Sequence, residues 1–407
     1  MLQRRILIVT NRIPYPYRDG GNIAMRAMIN GYNNAGWEVC LLAMNTVRHY
    51  VSEDILRKEY AHIHRIETVD VDNSVRTVAT LNNFLFSDEP NHVARFTSEA
   101  FATKLREVVQ VFEPMVIQVE SIYLTPYIQY LQDNENIIKI LRLHNVEYQV
   151  WERLAIESGN IFKKYYLQNL AKRLKKFEEQ AWKEYDLLVP ITERDAEVVS
   201  ATGIQADILV APFGIDVDSS AGDTHAEWCG YHIGAMDWVA NTEAIRWFID
   251  SVWPMVRNVC PGFKFFFAGR NMPESFKSNN PPGVICEGEV PDAHDFIENK
   301  KILIVPLKAG GGIRIKILEA MAACKLVIST TIGVQGIEAI AGIHYLLADN
   351  EEEFAQKIKW CLDNKALAEN IAENGKNLIG STYSQPHIMS NLVNKIEHIA
   401  SKKNING

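Results

Sequence analysis

The sequence predicts an α/β protein with two doubly wound domains, each built on a parallel sheet. Apolar runs of strand length alternate with helical patterns along almost the whole chain, as they do in βαβ units. At 407 residues the chain is also longer than a single hydrophobic core usually serves. A stretch without periodicity interrupts the alternation near its middle, which indicates two domains rather than one.

The strand-like runs form two series, each bounded by turn and helix signals. The first series lies at 4–11, 37–45, 63–71, 115–121, 137–145, 185–192 and 207–214. The second series lies at 231–236, 263–269, 283–290, 301–307, 326–331 and 344–349. Neither opening strand is followed by G-x-G-x-x-G, which disfavours an NAD enzyme with a Rossmann fingerprint.

The boundary between the domains is expected in the polar stretch "GIDVDSSAGDTHAEWCG", residues 214–230. This division predicts an N-terminal domain over 1–213, a linker over 214–230 and a C-terminal domain over 231–378. A C-terminal helix is expected within 379–407. If the two doubly wound domains face each other, the carboxyl ends of both sheets open into one central cleft, where ligands of such folds bind.

The composition narrows the class of protein. Hydrophobic residues make up 47% of the chain, which is enough for full interiors, and the formal net charge of −8 argues against a nucleic-acid-coating protein. The six cysteines include no C-x-x-C pair, so reduced thiols are expected. The N-terminal apolar run is too short for a signal peptide, and no stretch approaches the roughly 20 apolar residues of a membrane span. A cytoplasmic location is expected, with at most peripheral contact at the inner face of a membrane.

The most informative segment is "PLKAGGGIRIKILEAMAACKLVIST", residues 306–330. A buried strand leads into Gly310, Gly311 and Gly312, and a helix follows. Glycines allow close backbone approach, and the first amides of a helix lack internal partners, so this arrangement can hold a phosphate. Arg314 and Lys316 add positive charge, whereas a carboxylate such as Glu319 suits sugar hydroxyls. Taken alone, the segment fits a nucleotide site and an ordinary turn with a solvated basic pair equally well.

The chain resembles a known family in the order and spacing of several motifs. "YHIGAMDWVANTEAIRWFIDSVWPMV", "FFFAGRNMP", "GVICEGEVPD" and the glycine-rich block are similar to the donor-binding half of family 4 retaining glycosyltransferases with the GT-B fold. "NRIPYPYRDGGNIAMRAMINGYNNAGWEV" and "RLHNVEYQVWERLA" resemble the family's first loop and histidine loop. The resemblance implies sugar transfer from a nucleotide-sugar with retained configuration, no cofactor beyond that donor substrate, and usually no essential metal.

The resemblance also implies roles for individual residues. In the second domain, the amides of Gly311, Gly312 and Ile313 with Arg314 and Lys316 would hold the leaving diphosphate, Gly310 belonging to the same turn, and Glu319 would bind the ribose. Other donor contacts are expected from residues at the ends of neighbouring strands, namely Gly269, Arg270, Gly288 and Val290. The final helix is expected to cross back to the first domain.

The expectations for the first domain rest on fewer residues. His144, at the end of a strand, matches the family histidine near the reacting centre, where it would orient the sugar and stabilise charge. Gly21 is a candidate for diphosphate or acceptor contact, whereas Asp19, Gly20 and Glu120 are candidate acceptor residues. A lone strand-end histidine or a flexible turn remains the plainer alternative for each.

Two departures from the family pattern bear on function. Many members carry two glutamates seven residues apart, but the position of the first is Gly311 here. The loop after the first strand of the second domain also lacks the usual arginine and lysine, and Arg314 and Lys316 are expected to replace them. The missing acid keeps open a catalytically inactive nucleotide-sugar-binding scaffold, and an epimerase or phosphorylase on the same fold is a further alternative.

A basic amphipathic helix is predicted at "FKKYYLQNLAKRLKKFEEQAW", residues 162–182. Leu167, Leu170, Leu174, Phe177 and Ala181 share one face. The opposite face is basic and consists of Lys172, Arg173, Lys175 and Lys176. Such a helix usually packs on its own domain with solvated lysines, and peripheral contact with an anionic membrane is the alternative.

Overall fold

The computed structural model describes residues 4–17, 20–74, 90–131, 136–212, 214–215, 226–278, 280–309 and 313–403. Asp19 and the three glycines Gly310–Gly312, which the sequence nominated for binding, lie outside the described residues. The chain divides into two compact units. Unit 1 comprises Met1–Gly214 together with Ile388–Gly407, and unit 2 comprises Ile215–His387.

Within the described ranges, thirteen strands form the two sheets, and each of the thirteen predicted runs contains or overlaps one of them. Those of unit 1 are β1 Arg5–Thr10, β2 Glu38–Thr46, β3 Arg65–Val71, β4 Val116–Val119, β5 Ile138–Leu143, β6 Leu187–Pro190 and β7 Asp207–Ile208. Those of unit 2 are β8 Glu227–Ile233, β9 Phe265–Ala268, β10 Val284–Gly288, β11 Lys300–Val305, β12 Leu326–Ser329 and β13 Leu346–Leu347.

Helices connect the strands in both units. In unit 1 they are α1 Gly20–Asn34, α2 Glu53–Glu59, α3 Asn91–Ala94, α4 Glu99–Phe112, α5 Glu147–Glu157, α6 Ile161–Ala181 and α7 Glu193–Ser200. In unit 2 they are α8 Val239–Trp247, α9 Trp253–Val259, α10 Glu274–Lys277, α11 Ala293–Glu298, α12 Ile315–Ala322, α13 Glu351–Asp363 and α14 Lys365–Leu378. The last helix, α15, spans Gln385–Lys402.

Both sheets are parallel and doubly wound, so the predicted fold class of two Rossmann-like domains is confirmed. The strand order is β3-β2-β1-β4-β5-β6-β7 in unit 1 and β10-β9-β8-β11-β12-β13 in unit 2. The order reverses between β1 and β4 in the first sheet and between β8 and β11 in the second. Ligands of open α/β sheets bind outside the carboxyl ends of the strands at such a reversal. The topology therefore directs attention to two edges, one in each unit.

Apolar clusters cover both faces of each sheet, which explains the near-continuous apolar runs of the strands. One face of the first sheet is completed by α15, whose Leu392 and Ile396 are fully buried in that core. Ion pairs from Glu397 to Arg4 (2.7 Å) and from Lys395 to Asp207 (2.9 Å) lie beside these contacts. The C-terminal helix therefore forms part of the unit 1 core.

The linker predicted over 214–230 is wrong at its C-terminal end, because β8 already begins at Glu227. The prediction counted "EWCG" as the end of a polar stretch without periodicity. Glu227 faces solvent, where it pairs with Lys264 at 3.0 Å, while Cys229 and Gly230 are buried in the strand. Residues 216–225 of that linker lie outside the described residues.

No helix in the described ranges combines the length and apolar character that a membrane crossing requires. All six cysteines are free thiols, and those at 40, 229, 260 and 361 are buried.

Candidate functional site

The strand reversal of unit 2 brings Lys316 of α12 against residues at the end of β8. The Lys316 ammonium lies 3.1 Å from His232 Nε2 and 3.2 Å from Asn241 Oδ1. Asn241 is held by its own donation to the Ala235 carbonyl at 2.8 Å, which turns its amide oxygen toward the lysine. His232 and Asn241 are buried, so the ammonium is fixed by two interior acceptors.

The hydrogen bonds of His232 decide which ring nitrogen carries its proton. Nδ1 lies 2.8 Å from the Ile304 carbonyl, an acceptor that requires an N–H, so Nε2 is left to accept from Lys316. Burial and the neighbouring Lys316 charge lower the pKa of His232 well below its usual range, although the bond to the Ile304 carbonyl opposes this. His232 is therefore a neutral, oriented acceptor.

The same surroundings weaken the binding of the Lys316 proton. Burial of its ammonium and the nearby Arg314 charge lower the pKa of Lys316 to about 7, with Glu319 partly opposing them. The residue as a whole is only half-buried, because part of its surface remains open while the ammonium lies among interior groups. An incoming anion would restore its charge at neutral pH.

Arg314 precedes α12 and adds a second cation. Its side chain is buried, its guanidinium carbon lies 5.4 Å from the centre of the Trp238 ring, and burial lowers its pKa. Trp238 lies on the loop after β8, the loop in which the sequence lacks the family's arginine and lysine. Lys316 of α12 and Arg314, which precedes that helix, therefore lie close to this loop, although they belong to the segment that follows β11.

Glu319 lies one turn beyond Lys316 on α12 and is exposed. The protein around its carboxyl nevertheless raises its pKa, with Lys316 partly opposing the shift. Glu319 is thus available to hydroxyl groups of a ligand.

Glycines allow the strand ends of unit 2 to approach closely. A Cβ atom on Gly269 would fall 1.8 Å from the Gly234 carbonyl oxygen, and one on Gly234 would fall 2.7 Å from the Lys316 ammonium. Gly288 has φ +70° and its carbonyl accepts from the Gly269 amide at 2.7 Å. The close backbone contact at Gly269 and the positive φ at Gly288 therefore explain why both positions are glycine.

The remaining predicted donor residues of unit 2 lie at the same edge. Arg270 follows β9 and approaches Asp237 at 3.8 Å, with both side chains substantially exposed. Val290 packs beside the apolar cluster of that face of the sheet. Ile313, just before α12, packs against the same cluster. Arg270 thus already has an acidic neighbour, which weakens its availability for phosphate.

In unit 1, Glu120 and His144 meet at the carboxyl edge of the sheet. Glu120 is fully buried and its Oε2 lies 2.8 Å from His144 Nε2. Gln118 donates to Glu120 and accepts from the Tyr32 hydroxyl at 2.7 Å. Because the carboxylate requires a donor, Nε2 of His144 carries a proton. The ring nitrogen that faces away from Glu120 is Nδ1.

The counter-charge of Glu120 is Arg142 of β5. Burial alone would raise the pKa of Glu120, but the Arg142 guanidinium and the hydrogen bonds from His144 and Gln118 outweigh it and lower that pKa. Arg142 Nε lies 3.9 Å from Glu120 Oε2, and Arg142 is itself 1% exposed. Among the described residues, its Nε and Nη1 have no hydrogen-bond partner. The pair keeps an ionised carboxylate beneath His144.

Gly20 and Gly21 form the first turn of α1, which follows the strand β1 at the reversal of the first sheet. Glu120 follows β4, the other strand of that reversal. The fold thus places these candidates at the ends of adjacent strands. Among the described residues, no group of three or more His, Cys, Asp or Glu side chains is arranged to hold a metal ion.

The prediction from sequence missed His232, Asn241, Arg142 and Gln118. A signal was present for three of them, because His232, Arg142 and Gln118 are polar residues inside otherwise apolar buried strands. Such residues need a partner in the fold. The sequence could not say which partner, since Lys316 lies 84 positions from His232.

Comparisons with known proteins agree with this geometry. Residues 230–364 match the family model described as "Glycosyl transferases group 1", a range that contains His232, Asn241, Lys316 and Glu319. An uncharacterized 44.6 kDa protein in the cps region of Klebsiella pneumoniae is 24% identical over 404 residues, which cover 95% of this chain and 98% of that protein.

Solved structures resemble the chain over nearly its full length. HepE from Anabaena, in complex with UDP-glucose, shares 12% identity with a TM-score of 0.63, covering 97% of this chain and 99% of that one. Sucrose-phosphate synthase from Thermosynechococcus elongatus shares 14% identity with a TM-score of 0.65, covering 98% and 100%. A variant of S. aureus TarM, in complex with fondaparinux, α-GlcNAc-glycerol and UDP, shares 10% identity with a TM-score of 0.64, covering 97% and 99%.

The matched range spans the second sheet from β8 to β13 and the helix that carries Lys316 and Glu319, and the structural likeness extends over both units. Residues 230–364 are therefore similar to the group 1 glycosyltransferase model, and the chain as a whole has the GT-B fold.

Proposed function

We propose that the protein is a retaining hexosyltransferase of the EC 2.4 class that moves a sugar from a nucleotide diphosphate sugar to a glycan or lipid-linked acceptor. The observation that carries this proposal is the cation pair of α12, with Lys316 held by His232 and Asn241 at the strand reversal of the matched domain. The Klebsiella relative in a cps region supports a role in surface polysaccharide synthesis.

The proposed chemistry in unit 2 is stabilisation of the leaving diphosphate. Negative charge develops on that group as the glycosidic bond breaks. A positioned hydrogen-bond donor in a dry site lowers the barrier by about 3 kcal/mol. Lys316 and Arg314 supply this stabilisation together with the amides of Gly311, Gly312 and Ile313. Glu319 accepts hydrogen bonds from the ribose, and backbone around Gly288 and Val290 contacts the base.

The proposed chemistry in unit 1 concerns the sugar and the acceptor. His144 orients the transferred sugar and stabilises charge near the reacting centre. Glu120 fixes the ring of His144, so its contribution to acceptor binding is indirect. Gly21 contacts diphosphate, and Asp19 with Gly20 contacts the acceptor.

Donor binding is the first test. Calorimetric titration with UDP, GDP, ADP, TDP and their sugars should identify one base, with UDP tried first because HepE and TarM structures contain it. Lys316→Met and Arg314→Ala should each weaken binding at least about tenfold. Lys357→Met, a half-buried lysine on α13, is the control and should leave affinity unchanged. Equal affinity in all four proteins would remove the cation pair from the donor site.

Turnover and stereochemistry are tested separately from binding. Proton NMR of the first product formed from an α-linked donor should show an α linkage, whereas a β linkage would exclude retention. His144→Gln should reduce turnover while leaving affinity for the nucleoside diphosphate unchanged.

The absence of an acid at Gly311 favours a second candidate, a nucleotide-sugar-binding scaffold without turnover. Tight donor binding with neither transfer across a broad acceptor panel nor donor hydrolysis would support that function instead.

A further inference from the structure

The hairpin of α5 and α6 in unit 1 ends in an exposed apolar tip. Four large side chains form it: Ile156 at the end of α5, and Ile161, Phe162 and Tyr165 in the first turns of α6. Their exposed fractions are 73%, 76%, 85% and 67%. Single exposed apolar residues are ordinary on protein surfaces, but a group of four at one turn indicates an interaction site.

Hydrogen bonds at both ends of the hairpin hold the two helices in place. The Asn160 side chain accepts from the amides of Phe162 at 3.0 Å and Lys163 at 3.1 Å, which caps α6 at the turn. At the other end of the hairpin, the buried carboxyl group of Glu178 accepts from the amides of Glu147 at 3.0 Å and Tyr148 at 2.8 Å. Both helices are therefore anchored, and the apolar side chains project from a defined scaffold.

Basic residues follow this tip along α6. Between residues 158 and 176 the sequence contains six basic residues and no acidic one: Lys163, Lys164, Lys172, Arg173, Lys175 and Lys176. Leu167, Leu170 and Leu174 are buried in the unit 1 core, and Phe177 and Ala181 are half-buried beside it, so the predicted amphipathic helix is confirmed. Helical spacing places Ile161, Tyr165, Lys172 and Lys176 on the opposite, outward face.

We propose that this face binds an anionic membrane surface, with Ile156, Ile161, Phe162 and Tyr165 entering the interface and the lysines of α6 contacting lipid headgroups. Charge complementarity selects this occupant. The protein as a whole carries a net charge of −8, which an anionic bilayer repels, whereas segment 158–176 carries six basic residues and no acidic one and is attracted to it. Apolar side chains that enter the interface and basic side chains that attract anionic headgroups are the two contributions to such binding.

The proposal does not depend on sugar transfer, because vesicles without donor or acceptor test it. Flotation of the full chain with vesicles of phosphatidylcholine plus phosphatidylglycerol should recover bound protein, and vesicles of phosphatidylcholine alone should recover much less. High salt should weaken the binding, because it screens the lysine contribution.

Two variants separate the apolar and electrostatic parts. Phe162→Asp should lower partition to the anionic vesicles about tenfold or more. Lys172→Glu combined with Lys176→Glu should have an effect of similar size, since each basic residue near such a surface contributes roughly a fivefold factor. The matched controls are Leu367→Asp, an exposed leucine of unit 2, and Lys58→Glu with Lys402→Glu, exposed lysines of unit 1. Controls should partition like wild type.

Three results would overturn the proposal. They are absence of wild-type binding to anionic vesicles, equal partition of wild type and Phe162→Asp, and a wild-type dimer that Phe162→Asp converts to monomer in sedimentation velocity. The last would assign the tip to a second copy of the chain. Circular dichroism and thermal unfolding of each variant must match wild type, so that lost binding reports the surface and not the fold.

Discussion

Lys316 combines a positive charge with an interior position, and the two conditions together make it sensitive to pH. Its ammonium donates to His232 Nε2 and Asn241 Oδ1, and its pKa lies at about 7. Because that pKa is below the unfolded value near 10.5, the folded protein holds fewer protons than the unfolded chain between about pH 7 and 10.5. The free energy of unfolding therefore increases as pH rises through this window. Below the window, the full destabilisation from burying the charged ammonium is present.

Nucleotide binding should take up a proton through Lys316. A diphosphate stabilises the charged form, so at pH 8 the wild type should absorb up to about one proton per ligand bound. Calorimetry in buffers of different ionisation enthalpy measures this number. Lys316→Met should abolish the uptake. An unchanged uptake in that variant would assign the proton to another group.

His232 should act on the donor site only through Lys316. His232→Phe removes an acceptor while leaving a ring of similar size, so the lysine loses its fixed position. We expect weaker nucleoside diphosphate binding together with a loss of the pH dependence described for Lys316. A variant that lost stability but kept both affinity and pH dependence would show that His232 serves the fold alone.

Arg142 illustrates a buried charge whose removal leaves its partner uncompensated. Arg142→Met should lower the free energy of unfolding by about 3–5 kcal/mol at neutral pH, because Glu120 remains buried without its main counter-charge. Glu120→Gln added to Arg142→Met should recover part of this loss, as chemical denaturation would show. In the wild type, the stabilisation from Glu120 is present above its unfolded pKa and is lost as pH falls. If the loss of stability in the double variant equals the sum of the losses in Arg142→Met and in Glu120→Gln, the two residues do not form an energetic pair.

At the scale of elements, Glu178 joins α6 to the first turn of α5. Burial raises its pKa to about 8, although the amides of Tyr148 and Glu147 oppose the shift. The folded protein therefore keeps a proton that the unfolded chain has released. The resulting contribution to stability is fully present below about pH 4.5 and is lost as pH rises toward 8.

Glu178→Gln should flatten the pH dependence of stability between about pH 5 and 8, because glutamine keeps an acceptor oxygen and does not ionise. Thermal unfolding measured across this range checks the prediction. Glu179→Gln, at the neighbouring half-buried position, serves as the control and should retain the wild-type slope. A slope that Glu178→Gln leaves unchanged would mean that the carboxyl is already ionised at low pH.

At the scale of the whole molecule, the last helix belongs to the first unit. Leu392 of α15 is 0% exposed in the unit 1 core, so Leu392→Ala should lower the free energy of unfolding by about 2–5 kcal/mol. Leu367→Ala, at an exposed site of unit 2, should change it by less than about 0.5 kcal/mol. Chemical denaturation followed by far-ultraviolet circular dichroism measures both. Equal effects would argue that α15 contributes little to that core.

Much of the fold could be predicted from local pattern. A strand that is buried on both faces is largely apolar, so the thirteen described strands could be recognised in the sequence as apolar runs. The errors occurred where polar residues enter a strand, as at Glu227, which faces solvent at the start of β8. Lys316 and Glu319 were nominated because a strand, a glycine turn and a helix have a known chemical use.

The sequence by itself determined the two-domain α/β architecture, the basic pair of α12 and the amphipathic character of α6, since each depends on residues close together in the chain. Only the tertiary structure decided that Lys316 meets His232, that Arg142 stabilises Glu120 beneath His144, and that α15 completes the first core. These pairings depend on strand order, which places residues from distant segments at one sheet edge. Local periodicity cannot encode that order, because the same apolar strand can pair with several neighbours.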